Sequence, residues 1–274
     1  MNASLDESIS ATPFIAFKTS PAHEYTLRVR PRCHVPGVNS TRALVELPED
    51  EAEHLVRVLR LGVGDEVDAF DGRGGLWRAE IVQVGKKSAT IRPIAPEIPA
   101  SELAVRLTLI CSVLKGDKMD EVVRDAVMLG VTSIRPVVSE RSDVSLQSMA
   151  RSSRIARWQR IAVASTKQCG RAVVPEIHDA APIDWYWTEK ADASRIMCVE
   201  PSAALGEVLA VQAVPRAAAA DVIVGPEGGW AVAEVAAAHD CGAILMSLGG
   251  RTLRADTVPI IALTALLTIW GELK

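Results

Sequence analysis

Apolar and polar positions along this chain fall into two rhythms. Residues 41–93 carry short apolar runs: Arg42 to Leu47 alternates as a strand does, Pro48-Glu49-Asp50 opens a helix with acids in its first turn, and Gly62-Val63-Gly64-Asp65 closes it. Strands are predicted at Glu66–Phe70, Leu76–Val84 and Ser88–Pro93, separated by Asp71-Gly72-Arg73-Gly74-Gly75 and Gly85-Lys86-Lys87. Short strands joined by tight turns predict a small β-barrel-like domain. Ala95–Ser101 then holds two prolines and no periodicity, which marks a linker.

From Leu103 onward the rhythm lengthens. Strands are predicted near 103–112, 132–138, 195–200, 221–225 and 243–248, and helices near 118–129, 147–165, 203–212, 231–239 and 257–270. Regular βα alternation implies a parallel sheet covered by helices on both faces, with ligands at the carboxyl ends of its strands. The predicted organisation is an extension over 1–27, a barrel over 28–95, a linker over 96–102 and an α/β domain over 103–274. The first 27 residues are Ser/Thr/Ala-rich without periodicity and read as a flexible extension or the product of an upstream start codon.

Composition narrows the classes. At 274 residues and 49% hydrophobic, the chain can bury one large core or two ordinary ones. No stretch reaches the roughly 18 apolar residues of a membrane span, and the N-terminus lacks a signal peptide's basic and apolar regions, so a cytoplasmic protein is expected. Five scattered cysteines suggest buried thiols, and neither they nor the five histidines have metal-ligand spacing, so no metal is expected. Net charge is −4, but residues 101–174 carry twelve Lys/Arg against seven Asp/Glu, whereas residues 175–274 carry six against thirteen. That asymmetry is compatible with a local polyanion-binding face.

Candidate chemistry gathers near the C-terminus. Asp221–Val224 runs into Gly225-Pro226-Glu227-Gly228-Gly229-Trp230, and Ala243–Met246 runs into SLGGRTLRADTVP, residues 247–259. Glycine at a strand-to-helix join either makes a tight turn or lets main chain approach a ligand beside free helical N–H groups. With Glu200-Pro201 at the end of the preceding strand, three such loops could meet at one sheet edge. Neither a dinucleotide fingerprint nor a P-loop is present.

The segments IVGPEGGW and LGGRTLRADT closely resemble the signature loops of the RsmE-type, SPOUT-class methyltransferases. EHLVRVLRLGVGDEVDAFDGRGGLWRAEI, KGDKMDEVVRDAVMLGVTSIRPVVSERS and RWQRIAVASTKQCGRAVVPEI match further family segments, so the resemblance runs from about Arg28 to the C-terminus. It implies a PUA-like RNA-binding barrel, an α/β domain with a deep trefoil knot, which general topology rules would not suggest, and a homodimer. The implied activity is methylation of uridine N3 in 16S ribosomal RNA from S-adenosylmethionine, on the assembled 30S subunit. It further implies that Glu200, Pro201, Gly225, Pro226, Glu227, Gly228, Gly229, Leu248, Gly249, Gly250 and Leu253 hold the cofactor. This chain departs at Leu253-Arg254-Ala255-Asp256-Thr257-Val258, where the family usually reads L-R-x-E-T-A.

Arg30, Arg32, Lys115, Lys118, Gln168 and Arg171 match basic or polar family segments and are expected at RNA; solvated charges and a helix cap are the alternatives. His54, Arg57 and Arg60 share one side of an ideal helix, away from Leu55, Val58 and Leu59, and read as a phosphate-binding or a merely solvated face. Arg254, with Arg171 as helper, is expected to stabilise a uracil anion, and Asp256 to orient Arg254 or act as base. A non-catalytic RNA-binding or ribosome assembly factor of the same fold is the alternative, and an unrelated nucleotide-binding enzyme a third reading. Intact glycine clusters favour the first over the second, and the missing phosphate motifs count against the third.

Overall fold

The computed structural model describes residues 30–38, 43–190, 192–200 and 206–273. The extension, Arg42, Pro201 and the start of the helix predicted over 203–212 lie outside them. The first sheet has β1 (Arg32–His34), β2 (Val45–Glu46), β3 (Glu66–Phe70), β4 (Leu76–Val84) and β5 (Ala89–Pro96), ordered β1-β3-β4-β5-β2. Among the described residues of this sheet, β1 and β3 pair parallel and the other strands pair antiparallel. Alternating residues of β3 to β5, among them Val67, Ala69, Ala79, Ile81, Ala89 and Ile91, meet Leu55 in a closed apolar core. A period of two buries one face, which is why these strands were legible.

The helix expected from Pro48 to Leu61 is shorter. Helix α1 (Glu49–Glu53) passes into one π-helical turn, His54–Val58, with Leu59 N–H donating to the His54 carbonyl at 3.0 Å. Arg60 lies beyond it at φ +59°. The ideal-helix grouping of His54, Arg57 and Arg60 therefore fails, because a wider turn rotates the side chains differently. Of the supposed apolar backing, Leu55 is buried but Val58 and Leu59 are exposed.

The second sheet is parallel. Its strands β6 (Arg106–Ser112), β7 (Ser133–Val138), β8 (Glu176–Ile177), β10 (Ser194–Cys198), β11 (Val208–Ala210), β12 (Ala219–Val224) and β13 (Ile244–Ser247) run in the order β11-β13-β10-β12-β6-β7-β8, with β9 (Ala181–Pro182) paired to β7. Helices α2 (Lys118–Met128), α4 (Arg154–Cys169) and α7 (Val258–Ile269) share the larger apolar core with one face of the sheet. Helices α5 (Ile183–Thr188) and α6 (Val232–Asp240) join the core of the other face. Central β6 is buried from Leu107 to Ser112, as a strand covered on both faces must be.

Three expectations need correction. The single helix over 147–165 is broken into α3 (Leu146–Ala150) and α4, because Ser152 Oγ donates to the Met149 carbonyl at 2.9 Å and offers the backbone another bonding pattern. Beyond residue 205, the helix predicted over 203–212 is instead β11 and a single 3₁₀ turn, Val211–Ala213; Val208, Val211, Val214 and Pro215 disfavour a continuing helix. The thiols are not all buried: Cys241 is exposed. Helix α4 does end at Gly170, in the left-handed conformation at φ +85°. Among the described residues no helix is long and apolar enough to cross a membrane.

The two sheets are joined by specific bonds. Lys167 Nζ on α4 donates to both carboxylate oxygens of Glu51 on α1, at 2.8 and 2.9 Å. The 71–75 turn pairs with 172–174 through Gly74 N–H to Ala172 O at 3.0 Å and Val174 N–H to Gly72 O at 2.9 Å.

Candidate functional site

At the carboxyl edge β13, β10 and β12 are neighbours, so the segments that leave them meet. They enclose a cavity of about 230 Å³ bounded by Val199-Glu200, by the loop after Val224 and by residues 248–258. The second loop folds tightly: Gly229 N–H donates to Pro226 O at 3.0 Å with Gly229 at φ +68°. Trp230 Nε1 donates to Cys198 O at 2.9 Å, and this places its indole where a Cβ on Gly225 would come within 2.9 Å. Trp230 is thus part of the site, signalled only by its place beside GPEGG.

Of the eleven expected cofactor residues, Glu200, Gly225, Pro226, Glu227, Gly229, Leu248, Gly249 and Leu253 line the cavity. Gly228 and Gly250 do not. Gly228 faces Arg141, whose Cβ and carbonyl oxygen would lie 3.0 Å from an added Cβ, so this glycine serves loop packing. The 139–142 loop is itself held by buried Glu234, which accepts Glu140 N–H at 2.8 Å and Ala231 N–H at 2.9 Å. Arg251 and Thr252, inside the quoted signature, also reach the cavity, as does Lys118.

Arg254 and Asp256 form a two-pronged pair, Nε to Oδ1 at 3.1 Å and Nη2 to Oδ2 at 2.6 Å. The Arg254 side chain is 75% exposed and Asp256 only 12%, so the carboxylate is the anchor and the guanidinium the presented group. Lys118 Nζ donates to Glu227 Oε1 at 2.9 Å. Burial raises the Glu227 carboxyl, but bonds from Lys118 and from the backbone N–H groups of Glu227 and Lys115 outweigh it and hold it below its ordinary value. Cys198 borders the cavity, yet burial pushes its thiol up to about 12, so it stays protonated and unreactive at neutral pH.

Arg171 is elsewhere and is corrected. It is buried, its Nε and Nη2 bond both oxygens of Glu102 at 2.6 to 3.1 Å, and its Nη1 donates to Val127 O at 2.7 Å and Val131 O at 3.1 Å. Every nitrogen of that guanidinium is committed to tying residues 102 and 127–131 together. It does not border the cavity. Arg32 is likewise a tie: Nη2 donates to the Arg171 carbonyl at 2.6 Å, and the guanidinium lies 5.1 Å from the Phe70 ring centre. Sequence could not separate these arginines from RNA contacts, because pairing depends on what the fold brings near.

The remaining basic candidates differ in freedom. His54, Arg57, Arg60 and Gln168 are exposed, with Arg57 paired to Glu53. Lys115 is held by Asp143 at 2.8 Å. Arg30 heads the described residues.

Comparison with known proteins follows the same division of the chain. An RNA methyltransferase domain model matches residues 101–267, and an RNA methyltransferase PUA domain model matches residues 47–94. The chain is 33% identical over 227 residues to the ribosomal RNA small subunit methyltransferase E of Synechocystis, covering 81% of this chain and 72% of that protein. Among solved structures, ribosomal RNA small subunit methyltransferase E from Neisseria gonorrhoeae, bound to S-adenosyl methionine, superposes with a TM-score of 0.80 at 31% identity, covering 88% of this chain and 98% of that one. A methyltransferase from Legionella pneumophila with bound SAM gives 0.78 at 28% identity, covering 87% and 97%.

Proposed function

The chain belongs to the ribosomal RNA small subunit methyltransferase E family, and on that premise we propose that it methylates N3 of a uridine in 16S ribosomal RNA, on the assembled 30S subunit in the cytoplasm, using S-adenosylmethionine. The observation that carries this reading is the meeting of three loops at one cavity, with the Arg254–Asp256 pair on its wall.

The lining suits the cofactor. Val199, Leu248 and Leu253 offer apolar surface for a base, Gly225, Gly229 and Gly249 bring main chain close, and the carboxylates of Glu200, Glu227 and Asp256 favour a cation such as a sulfonium. Bound there, S-adenosylmethionine supplies an electrophilic methyl carbon. The protein's own task is the uracil. A base must leave its stack to be reached, and N3 is a poor nucleophile until its proton departs to solvent water and charge spreads to the flanking carbonyl oxygens. Arg254, preset by Asp256, donates to that developing charge. Asp256 serves as positioning residue; as base it would have to give up the pair that orients Arg254. Its arm is one methylene shorter than the family's usual Glu, and the observed fork shows that it still reaches Arg254.

Residues 28–95 are read as the RNA-binding barrel, 96–102 as linker and 103–274 as the catalytic domain, with Arg30, His54, Arg57, Arg60, Lys115, Lys118 and Gln168 as proposed RNA contacts. A deep trefoil knot and a homodimer complete the proposal. Ile260 and Ile269 of α7 are exposed at the two opposite borders of the face that buries Leu263, Leu266 and Leu267, which supports a covering subunit there. Methyl transfer from labelled S-adenosylmethionine to undermethylated 30S subunits, against free 16S RNA, tests the reading. Label at uridine N3 with 30S preferred is expected; no transfer to either substrate overturns it.

A further inference from the structure

The same parallel sheet has a second cavity at its opposite, amino edge, of about 370 Å³. Thr108 on β6, Asp221 on β12 and Arg195 on β10 are register partners in one row across three adjacent strands, so their side chains share a face there. Every side chain lining this cavity is polar. That is unlike a packing defect, since dry voids are lined by apolar groups.

Its charges are mostly accounted for. Arg106 pairs with Asp192 at 2.8 Å and Arg135 with Glu189 at 2.5 Å, while Asp221 accepts the Tyr186 hydroxyl at 2.6 Å. Burial and then the Asp221 charge raise the Tyr186 phenol, which keeps it a donor to that carboxylate. Arg195 is the exception. It is 7% exposed, and its Nη2 donates only to backbone, to Glu189 O at 2.7 Å and Tyr186 O at 3.3 Å. Its buried Nε has no partner, and no carboxylate among the described residues pairs with it. The guanidinium lies 4.8 Å from the Tyr186 ring centre and 5.6 Å from that of Trp187, which fixes its plane. Lys190, exposed, adds a fourth cation to a lining with three acids.

A buried guanidinium nitrogen left without an acceptor is costly, and a guanidinium held flat by two rings is preset for a planar or tetrahedral oxyanion. We infer that the amino-edge cavity binds the phosphate group of a small molecule, with Arg195 as the principal contact and Lys190 and Thr108 beside it. A compact ligand fits better than a nucleic-acid strand, because the flanking arginines are already neutralised and leave no row of free cations for a backbone to follow. With strands of five to seven residues between the two edges, this cavity lies on the order of 20 Å from the methyl-transfer cavity. The inference therefore does not depend on the proposed reaction.

The probe is inorganic pyrophosphate, titrated into the full chain at low salt and followed by calorimetry and by tryptophan fluorescence, Trp187 lying beside Arg195. Saturable binding with a Kd of about 1 mM or tighter is expected. Lys190→Ala should weaken it about fivefold with an unchanged melting temperature in the absence of pyrophosphate, and Arg195→Lys, which keeps the charge but loses the fork, should weaken it about tenfold or more. Both variants should keep wild-type affinity for S-adenosylmethionine, so that failure here is distinct from failure of the methyl-transfer reading. No saturable binding up to about 10 mM, or equal affinity in wild type and Lys190→Ala, overturns the site. If a 16S RNA fragment displaces pyrophosphate and itself binds more weakly to Lys190→Ala, the phosphate belongs to RNA and the small-molecule assignment is overturned.

Discussion

The two edges of the parallel sheet solve the problem of making a concavity by opposite means. At the carboxyl edge the walls are three loops in which Gly225, Gly229 and Gly249 leave main chain at the surface, and Arg254 is the cation presented on a carboxylate. At the amino edge the walls are side chains, mostly charged, projecting from four strands distant in sequence and from α5 and the segment after it. A main-chain site is encoded where it stands, in a few consecutive residues. A side-chain site is encoded piecemeal, and no segment of the sequence announces it.

The largest effect expected concerns an arginine that belongs to neither edge. Arg171→Met should lower unfolding free energy by about 3 kcal/mol, since Glu102 and two buried carbonyls lose their partner. Urea unfolding reads this, and kcat per folded molecule should stay within about twofold of wild type. A collapse of kcat at unchanged stability would move Arg171 to the reacting base and blur the contrast.

Next in size is Arg254→Lys, expected to cost on the order of 10²-fold in kcat while KM for RNA and affinity for S-adenosylmethionine change little. Wild-type turnover in that variant would remove the anion-stabilising role from the carboxyl edge. Smaller, but sharper as a test of main-chain architecture, is a pair of glycine variants. Gly249→Val forces a β-branched residue to φ +111° at the cavity wall and should weaken cofactor binding about tenfold. Gly228→Val should instead lose stability against Arg141 and keep cofactor affinity once folded. Equal loss of affinity in both would mean that Gly228 also touches the cofactor.

The smallest effect is one of pH. Because Glu227 is held below its ordinary value of 4.5 in the folded chain, its pairing stabilises the protein above about pH 4.5 and is lost as the pH falls toward the folded-state value. Wild type should exceed Glu227→Gln by less than about 1 kcal/mol at neutral pH, the two converging in acid. A gap that persists at low pH would show packing, not charge, to be the cause.

The alternation of Val67, Ala69, Ala79 and Ile81, the buried run of β6 and the glycines of GPEGG and LGG each act through neighbours a few residues away, so period, turn and main-chain freedom were readable in the sequence and the carboxyl-edge loops with them. Arginine has no such local signature. Arg32 and Arg171 looked like RNA contacts and are internal ties, Arg254 is presented to solvent, and Arg195 is buried over two rings; what separates the four is the partner each meets, a carbonyl and the Phe70 ring for Arg32, Glu102 for Arg171, Asp256 for Arg254, and two carbonyls and two rings for Arg195. The π-turn at His54–Val58 and the replacement of a predicted helix by β11 were also beyond local propensity, since neighbouring strands and the core decide such short elements. The chain by itself determined its longer strands, most of its longer helices and the loops of the carboxyl-edge cavity, because those depend on short-range geometry. Only the tertiary structure decided the fate of its charges, because ion pairs form between residues brought together from as far apart as Glu51 and Lys167, and burial sets the worth of each.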